Sequence, residues 1–495
     1  MTPAPSRRRG APLADVASLS PAAQVKAVLA ASGTGTSKPP KRGPRFLLDQ
    51  VSPREAIIAP VLGVYLGLAV VRLHERFPVL QVPYLLWVMM AIMLSTVLSA
   101  LPRGAWSTAW KLSPQLRLVA VLATLAVLTV PLGIWMSGAL DYLINRYTVA
   151  IAVYVSCFFL FRDRKVLRRV LMIYVLIATV VASVNVVSYF NKDVSLTAMS
   201  PEEQAIYRET GVLNNETNRQ TFGSLDPNDL AAVMATTLPL ALWLATGSFR
   251  RRITWTPCAL IMAIAVIPTA SRGGMLGLAA AAVVLILVGT EGAKRFLLAS
   301  TVGLGAFLFN ALAGSQMDRM SNLGGTDYNY TASEGRIAIW KRGIVWMIKR
   351  PWGYGLDNFP VYFGWLNGPD RAAHNSLIQY GVELGVLGIA AYLTICWTLV
   401  KSLLLIRRNA MHGGKAEKEM ATLCGHVLAT LAACWTTGFF LSNAYYPMTY
   451  MAIGIGSAVV FSRVEAKSAA PATAAAEPAK TAGLRRRHLK AFQPA

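Results

Sequence analysis

The chain has 495 residues, is 54% hydrophobic and carries a formal charge of +24. Uncharged runs such as 119–140 and 278–290 exclude an ordinary soluble domain, because a helix that crosses the hydrocarbon needs about 20 mostly apolar residues. The excess of Lys and Arg then reads as a topology signal rather than a nucleic-acid footprint, since no basic patch is interleaved with a recognisable RNA- or DNA-binding module.

Residues 1–50 are rich in Ala, Pro, Ser, Lys and Arg and have little to bury, so they read as a disordered basic tail. The early "RRRG" has no apolar run behind it and is a poor signal peptide. Residues 51–464 form the membrane domain. Its apolar segments lie near 55–72, 79–101, 115–137, 143–161, 167–190, 228–247, 253–269, 273–290, 295–314, 377–406, 420–441 and 446–462. The expected fold class is therefore all-α, a polytopic membrane protein with about 12 transmembrane helices. Residues 465–495 form a second basic, disordered tail.

Loop charges orient the chain. "RDRKVLRR" (162–169), "FRRR" (249–252), "EGAKR" (291–295) and "RRNAMHGGKAEK" (407–418) fall in alternate connections, and both tails are basic. That pattern predicts both termini in the cytoplasm. The five cysteines Cys157, Cys258, Cys396, Cys424 and Cys434 lie in or beside apolar runs, with no C-x-x-C pair, and read as small core residues.

Two outer loops are long, 191–227 and 315–376, and loops of that length are usually functional or disordered. The second, a large periplasmic loop in this topology, contains "TASEGRIAIWKRGIVWMIKRPWGYG", which reads as an amphipathic helix. Thr331 and Glu334 suggest a capping box, Pro351 and Gly353 a stop. Ile337, Trp340, Ile344, Met347 and Ile348 share one face at 100° per residue.

Candidate chemistry gathers on the outer side. Arg336 projects beside Trp340, Gly343 and Met347, where it either snorkels or is held towards an anion. Arg272, in the tight turn "SRGG" (271–274), stands at a helix N-terminus, a position suited to either an interfacial anchor or an anion-binding group. His374 opens segment ten, where the helix dipole disfavours imidazolium and a neutral ring is available as a base. Asn375 follows it. Glu383 would cost roughly 2.5–3.5 kcal/mol if presented to lipid at mid-helix, so it is expected inside the bundle as scaffold or as a tuning group. Asp226 or Asn228 is expected to cap segment six. Arg219 and Arg319 are secondary anion candidates. No metal cluster, P-loop or serine triad is legible, so neither a metal nor any other cofactor is expected.

His374-Asn375, nine residues, then Gly385-Val386-Leu387-Gly388 fits an H-[NSQ]-x9-G-x-x-G pattern. Arg272-Gly-Gly-Met-Leu276 fits R-x3-L, and Arg336-x3-Trp340 leads into "PWGYGLDNF" (351–359). With "DPNDLAAVM" (226–234) upstream, these stretches resemble the O-antigen ligase and polymerase superfamily of bacterial envelope enzymes. The resemblance implies a metal-independent, inverting, GT-C-like glycosyltransferase of the bacterial inner membrane. Its donor would be a glycan on undecaprenyl diphosphate, its acceptor lipid A-core, and its chemistry periplasmic. His374 would act as general base, with Arg272 and Arg336 holding the departing diphosphate. A polymerase that uses a second lipid-linked glycan as acceptor is the alternative. A protein O-oligosaccharyltransferase and a non-enzymatic polysaccharide transporter are further ones.

Overall fold

The computed structural model describes residues 53–76, 78–82, 84–191, 225–288, 335–367 and 370–475. Among these the architecture is helical throughout. The principal helices are α1 (Pro53–Val70), α2 (Leu85–Ala100), α3 (Ala105–Leu112), α4 (Pro114–Thr129) and α5 (Met136–Leu160). They continue with α6 (Arg164–Phe190), α7 (Pro227–Leu244), α8 (Phe249–Ala265), α9 (Arg272–Val288), α10 (Arg336–Lys349) and α11 (Phe359–Asn367). The last four are α12 (Ser376–Glu383), α13 (Gly385–Met411), α14 (Lys415–Phe440) and α15 (Pro447–Ala475).

Among the described residues, five helices are long and apolar enough to cross a membrane: Pro114–Leu132, α5, α6, α13 and α14. The α2–α3 pair becomes a sixth only if its 93° bend counts as one broken span. The other apolar segments read from the sequence are also helices, except 295–314, which lies outside the described residues. α7 and α8 carry internal Pro239 and Pro257. Such prolines are tolerated where neighbouring helices shield the freed carbonyls, and α7 is buried from Leu230 to Leu244. The protein is a multi-pass membrane protein.

Small residues set the tightest contacts. A Cβ on Gly274 would sit 2.4 Å from the Ala231 Cβ of α7, and one on Gly277 would sit 2.5 Å from the Thr437 Cγ2 of α14. α9 is thereby wedged between α7 and α14, as close helix packing in lipid requires.

Segment ten is not one helix as its apolar run suggests. It breaks at Leu384, and Gly385 takes φ +75°. The "PWGYG" stretch lies across the break: Tyr354 N–H donates to the Val382 carbonyl at 2.8 Å, Gly355 N–H to Glu383 O at 3.1 Å, and Val386 N–H to Pro351 O at 2.8 Å. A Cβ on Gly353 would lie 2.4 Å from Glu383 O, which explains a glycine there. The backbone groups freed by the break are thus re-paired by the loop.

The loop also holds a helix that periodicity did not reveal, α11. Trp346 packs on Phe359, Tyr362 and Phe363, and with Ile339, Ile378 and Val382 they build a second small core against α12. This corrects the expected face of α10. Ile339, Gly343 and Trp346 are buried, while Ile337, Ile344 and Ile348 are exposed. Both faces are apolar, and periodicity alone could not rank them.

At the opposite end from this loop, Arg162 pairs with Glu465 and Arg463 with Glu417. α15 continues to Ala475, through residues expected to belong to the C-terminal tail.

Candidate active site

The ends of α1 and α14 and the starts of α7, α9, α10, α12 and α15 meet at one end of the bundle. Each functional side chain sits at such a helix terminus, and local capping fixes it there. Asp226 Oδ1 accepts the N–H groups of Asn228 and Asp229 at 2.6 and 2.9 Å and so starts α7. Ser271 Oγ accepts Gly274 N–H at 3.2 Å and donates to Asn228 Oδ1 at 2.9 Å, tying the turn before Arg272 to α7. Asn375 Oδ1 accepts the N–H groups of Leu377 and Ile378 at 2.9 and 3.1 Å, so the Asn after His374 is the N-cap of α12. Such caps are worth about 1 kcal/mol each.

Three chain-distant stretches meet the end of α14 and the link that follows it. Arg336 Nη1 donates to the Phe440 carbonyl at 3.3 Å. A Cβ on Gly273, the residue after Arg272, would lie 3.2 Å from the Phe440 Cβ. The His374 N–H donates to Ser442 Oγ at 2.9 Å. One turn beyond Arg336, the Trp340 indole N–H donates to the Ala373 carbonyl at 3.0 Å, and its ring meets Phe439 edge-on. The R-x3-W spacing therefore places α10 over the histidine from above.

His374 is half-buried with φ +48°. Burial, with Arg336 and Arg371 nearby, pushes its imidazole down to about 4, and only Asp226 opposes the shift. The ring is neutral at pH 7. It can accept a proton, and the guanidiniums of Arg336 and Arg371 lie near it. Ala270, just before Ser271-Arg272, also has a left-handed backbone at φ +47°. Strain of this kind persists where the surroundings over-determine it and clusters at functional sites.

Glu383 is placed elsewhere, at the buried C-terminus of α12. Its Oε1 accepts Phe359 N–H at 3.3 Å, and Asp357 and Tyr445 are its polar neighbours. Burial pushes Asp357 up to about 6, against Arg146. Arg219, Arg319, Thr331 and Glu334 lie outside the described residues.

An apolar cavity of about 400 Å³ runs between α13 and α14 and is lined by Leu377, Tyr392, Leu393, Cys396, Trp435 and Phe439. It reaches Ser376, two residues after His374, and Phe440, whose carbonyl accepts from Arg336. No sequence motif announced it.

Residues 257–393 match the family model described as O-antigen ligase. The chain carries an O-antigen ligase domain. That stretch begins inside α8 and ends in α13, and holds Arg272, Arg336 and His374 together. No curated protein matches the chain. The match supports a membrane glycosyltransferase activity of the O-antigen ligase or polymerase type. Phe440 and Ser442, which these stretches meet, lie outside the matched stretch, as does Asp226. Sequence reasoning missed Phe440 and Ser442. The available signal was the polar "SNAYY" (442–446) set between two apolar segments.

Proposed function

We propose that this O-antigen ligase-type enzyme transfers a glycan from undecaprenyl diphosphate to lipid A-core, at the periplasmic face of the bacterial inner membrane. The observation that carries the reading is the convergence of His374, Arg336 and the turn of Arg272-Gly273 on the end of α14 and the link after it. The neutral His374 takes the proton of the acceptor hydroxyl as that oxygen attacks the anomeric carbon from the face opposite the leaving group. The bond to the diphosphate breaks and the configuration inverts. Arg272 and Arg336 stabilise the charge that develops on the departing diphosphate, the role a metal plays in other transferases.

The polyprenyl chain lies in the cavity between α13 and α14, whose lining includes Phe440, the residue whose carbonyl accepts from Arg336. In this reading about twelve segments cross the membrane, counting α7, α8 and 295–314, with both termini in the cytoplasm and the 315–376 loop outside. The basic tails are drawn to anionic lipid and have no nucleic-acid partner.

The test is transfer by the purified protein, supplied with lipid-linked glycan and either lipid A-core or a second lipid-linked glycan. Product on lipid A-core supports the ligase. Product only on the second lipid-linked glycan makes it a polymerase, and full activity of His374→Ala removes the base.

A further inference from the structure

The turn that covers the break in segment ten is built around a carboxyl group. Gly355 N–H donates to the Glu383 carbonyl at 3.1 Å, and Phe359 N–H to Glu383 Oε1 at 3.3 Å. Asp357 stands midway between these two contacts, with φ +55°, and its own N–H also faces the Glu383 carboxyl. Aspartate is among the few non-glycine residues that take a left-handed backbone readily. Here that backbone wraps 355–359 around one side chain and brings two carboxyl groups together.

Their surroundings differ. Asp357 is partly exposed, and Arg146 and Asp141 face it. Arg146 also lies over the Tyr142 ring, 5.9 Å from its centroid. Glu383 is fully buried and precedes the span Gly385–Met411. The groups that face it are Asp357, Tyr445 and Tyr142. The guanidinium of Arg350, from the same loop, is turned instead to the Leu132 carbonyl at 3.1 Å and to the Tyr354 ring. Oε2 of Glu383 is buried and has no hydrogen-bond partner among the described residues.

An ionised Glu383 would therefore be a buried charge with a second carboxylate beside it and no cation of its own. Such a charge costs so much that the group takes up a proton instead. The proton belongs on the more buried of the two carboxyls, because Arg146 compensates the charge of Asp357. Burial, and then Asp357, push the Glu383 carboxyl up from its ordinary range. Its Oε1 already accepts the Phe359 N–H, which leaves Oε2 to carry the proton.

We propose that Glu383 is a proton-dependent positioning residue: held as a neutral acid beside an ionised Asp357, it lets the 353–359 turn close on the break and so seats α12, whose other end carries His374 and Asn375. Loss of the proton sets two carboxylates against each other inside the turn and loosens it. An unfolded chain releases this proton near about pH 4.3, the folded chain only at higher pH. The stabilisation is complete below the unfolded value and is lost as pH rises through the folded one.

Infrared spectra of the detergent-solubilised full-length protein test the proton directly. At about pH 7 ordinary carboxyls are ionised. Subtracting the Glu383→Gln spectrum from that of the wild type should leave the carbonyl band of one protonated carboxyl, and Asp357→Asn should retain the band. Thermal melts test the coupling. Between about pH 6 and about pH 9 the wild-type Tm is expected to fall by about 2 °C or more beyond that of Glu383→Gln, whose amide mimics the neutral acid at every pH. Asp357→Asn, which removes the repulsion and keeps Glu383, should also fall less than the wild type. No difference band between wild type and Glu383→Gln would overturn the neutral acid. Wild-type and Asp357→Asn melts with the same pH dependence would overturn the coupling to the turn. Neither readout needs donor or acceptor, so both are independent of the transfer reading above.

Discussion

Ser442 accepts the backbone N–H of His374 at 2.9 Å, so a residue of the link between α14 and α15 holds the histidine in its left-handed conformation. Arg336 is bound to Phe440, two residues earlier and the last residue of α14, at 3.3 Å. The proposed base and one proposed phosphate ligand therefore share the short stretch 440–442, a mount that neither α10 nor α12 provides.

The pH dependence of transfer follows from His374. Its imidazole sits near 4, below the ordinary 6.5, because burial and two arginines disfavour the charged ring. The base form is lost only as pH falls through that value. The acid limb of kcat/KM, which reports the free enzyme, is expected near pH 4 rather than near 6.5. A bound diphosphate brings negative charge to the imidazole and raises its pKa, so the limb of kcat should lie at higher pH. An acid limb near 6.5 in kcat/KM, or no change between the two profiles, would count against His374 as the base.

How much of this was legible in the sequence depends on what each residue's role requires. Arg272, Asn375 and His374 sit at helix starts, where capping chemistry and the nearby glycines announce them locally. Arg336 was legible because R-x3-W places it one turn from Trp340. The stretch 440–446 was not, because Phe440 acts through its carbonyl, which every residue carries, and a serine such as Ser442 is ordinary at a chain reversal. The break at Leu384 was equally hidden. It depends on a loop that arrives from 30 residues upstream, and apolarity alone reads straight across it. The helical order of the bundle came through because lipid leaves the backbone few other solutions.

Arg272→Ala and Arg336→Ala should each raise the donor requirement sharply. A charge-assisted hydrogen bond contributes roughly 1.5–3 kcal/mol, which corresponds to a loss of about 10- to 150-fold in kcat/KM. Lysine at either place restores charge without the planar fork and should recover only part of it. Transfer measured with and without EDTA should be the same. Inhibition by the chelator, reversed by a divalent cation, would contradict an arginine-only clamp.

The seat of Arg272 can be tested without touching it. At Gly277 an added Cβ would meet the Thr437 Cγ2 at 2.5 Å, so Gly277→Ala overpacks the contact between α9 and α14. Overpacking typically costs about 1–3 kcal/mol. Tm and transfer should both fall. Thr437→Ser removes that Cγ2 and should restore both in the double variant, a coupling that a double-mutant cycle measures directly. Additive effects would show that this contact does not seat α9.

Glu383 separates scaffold from catalysis. Its Oε1 accepts the Phe359 N–H at 3.3 Å in a fully buried position, and its own carbonyl accepts Gly355 N–H at 3.1 Å. Glu383→Gln keeps an acceptor of the same reach, so the loop at 353–359 stays on the break of segment ten and transfer should remain close to the wild type. Glu383→Ala leaves that N–H buried without its acceptor, at a cost of about 1–3 kcal/mol. Its Tm should fall, and activity should fall with the fraction folded rather than with the chemistry. A catalytic acid behaves the other way. It would lose turnover in the Gln variant at unchanged Tm, and that result would move Glu383 from the scaffold into the reaction.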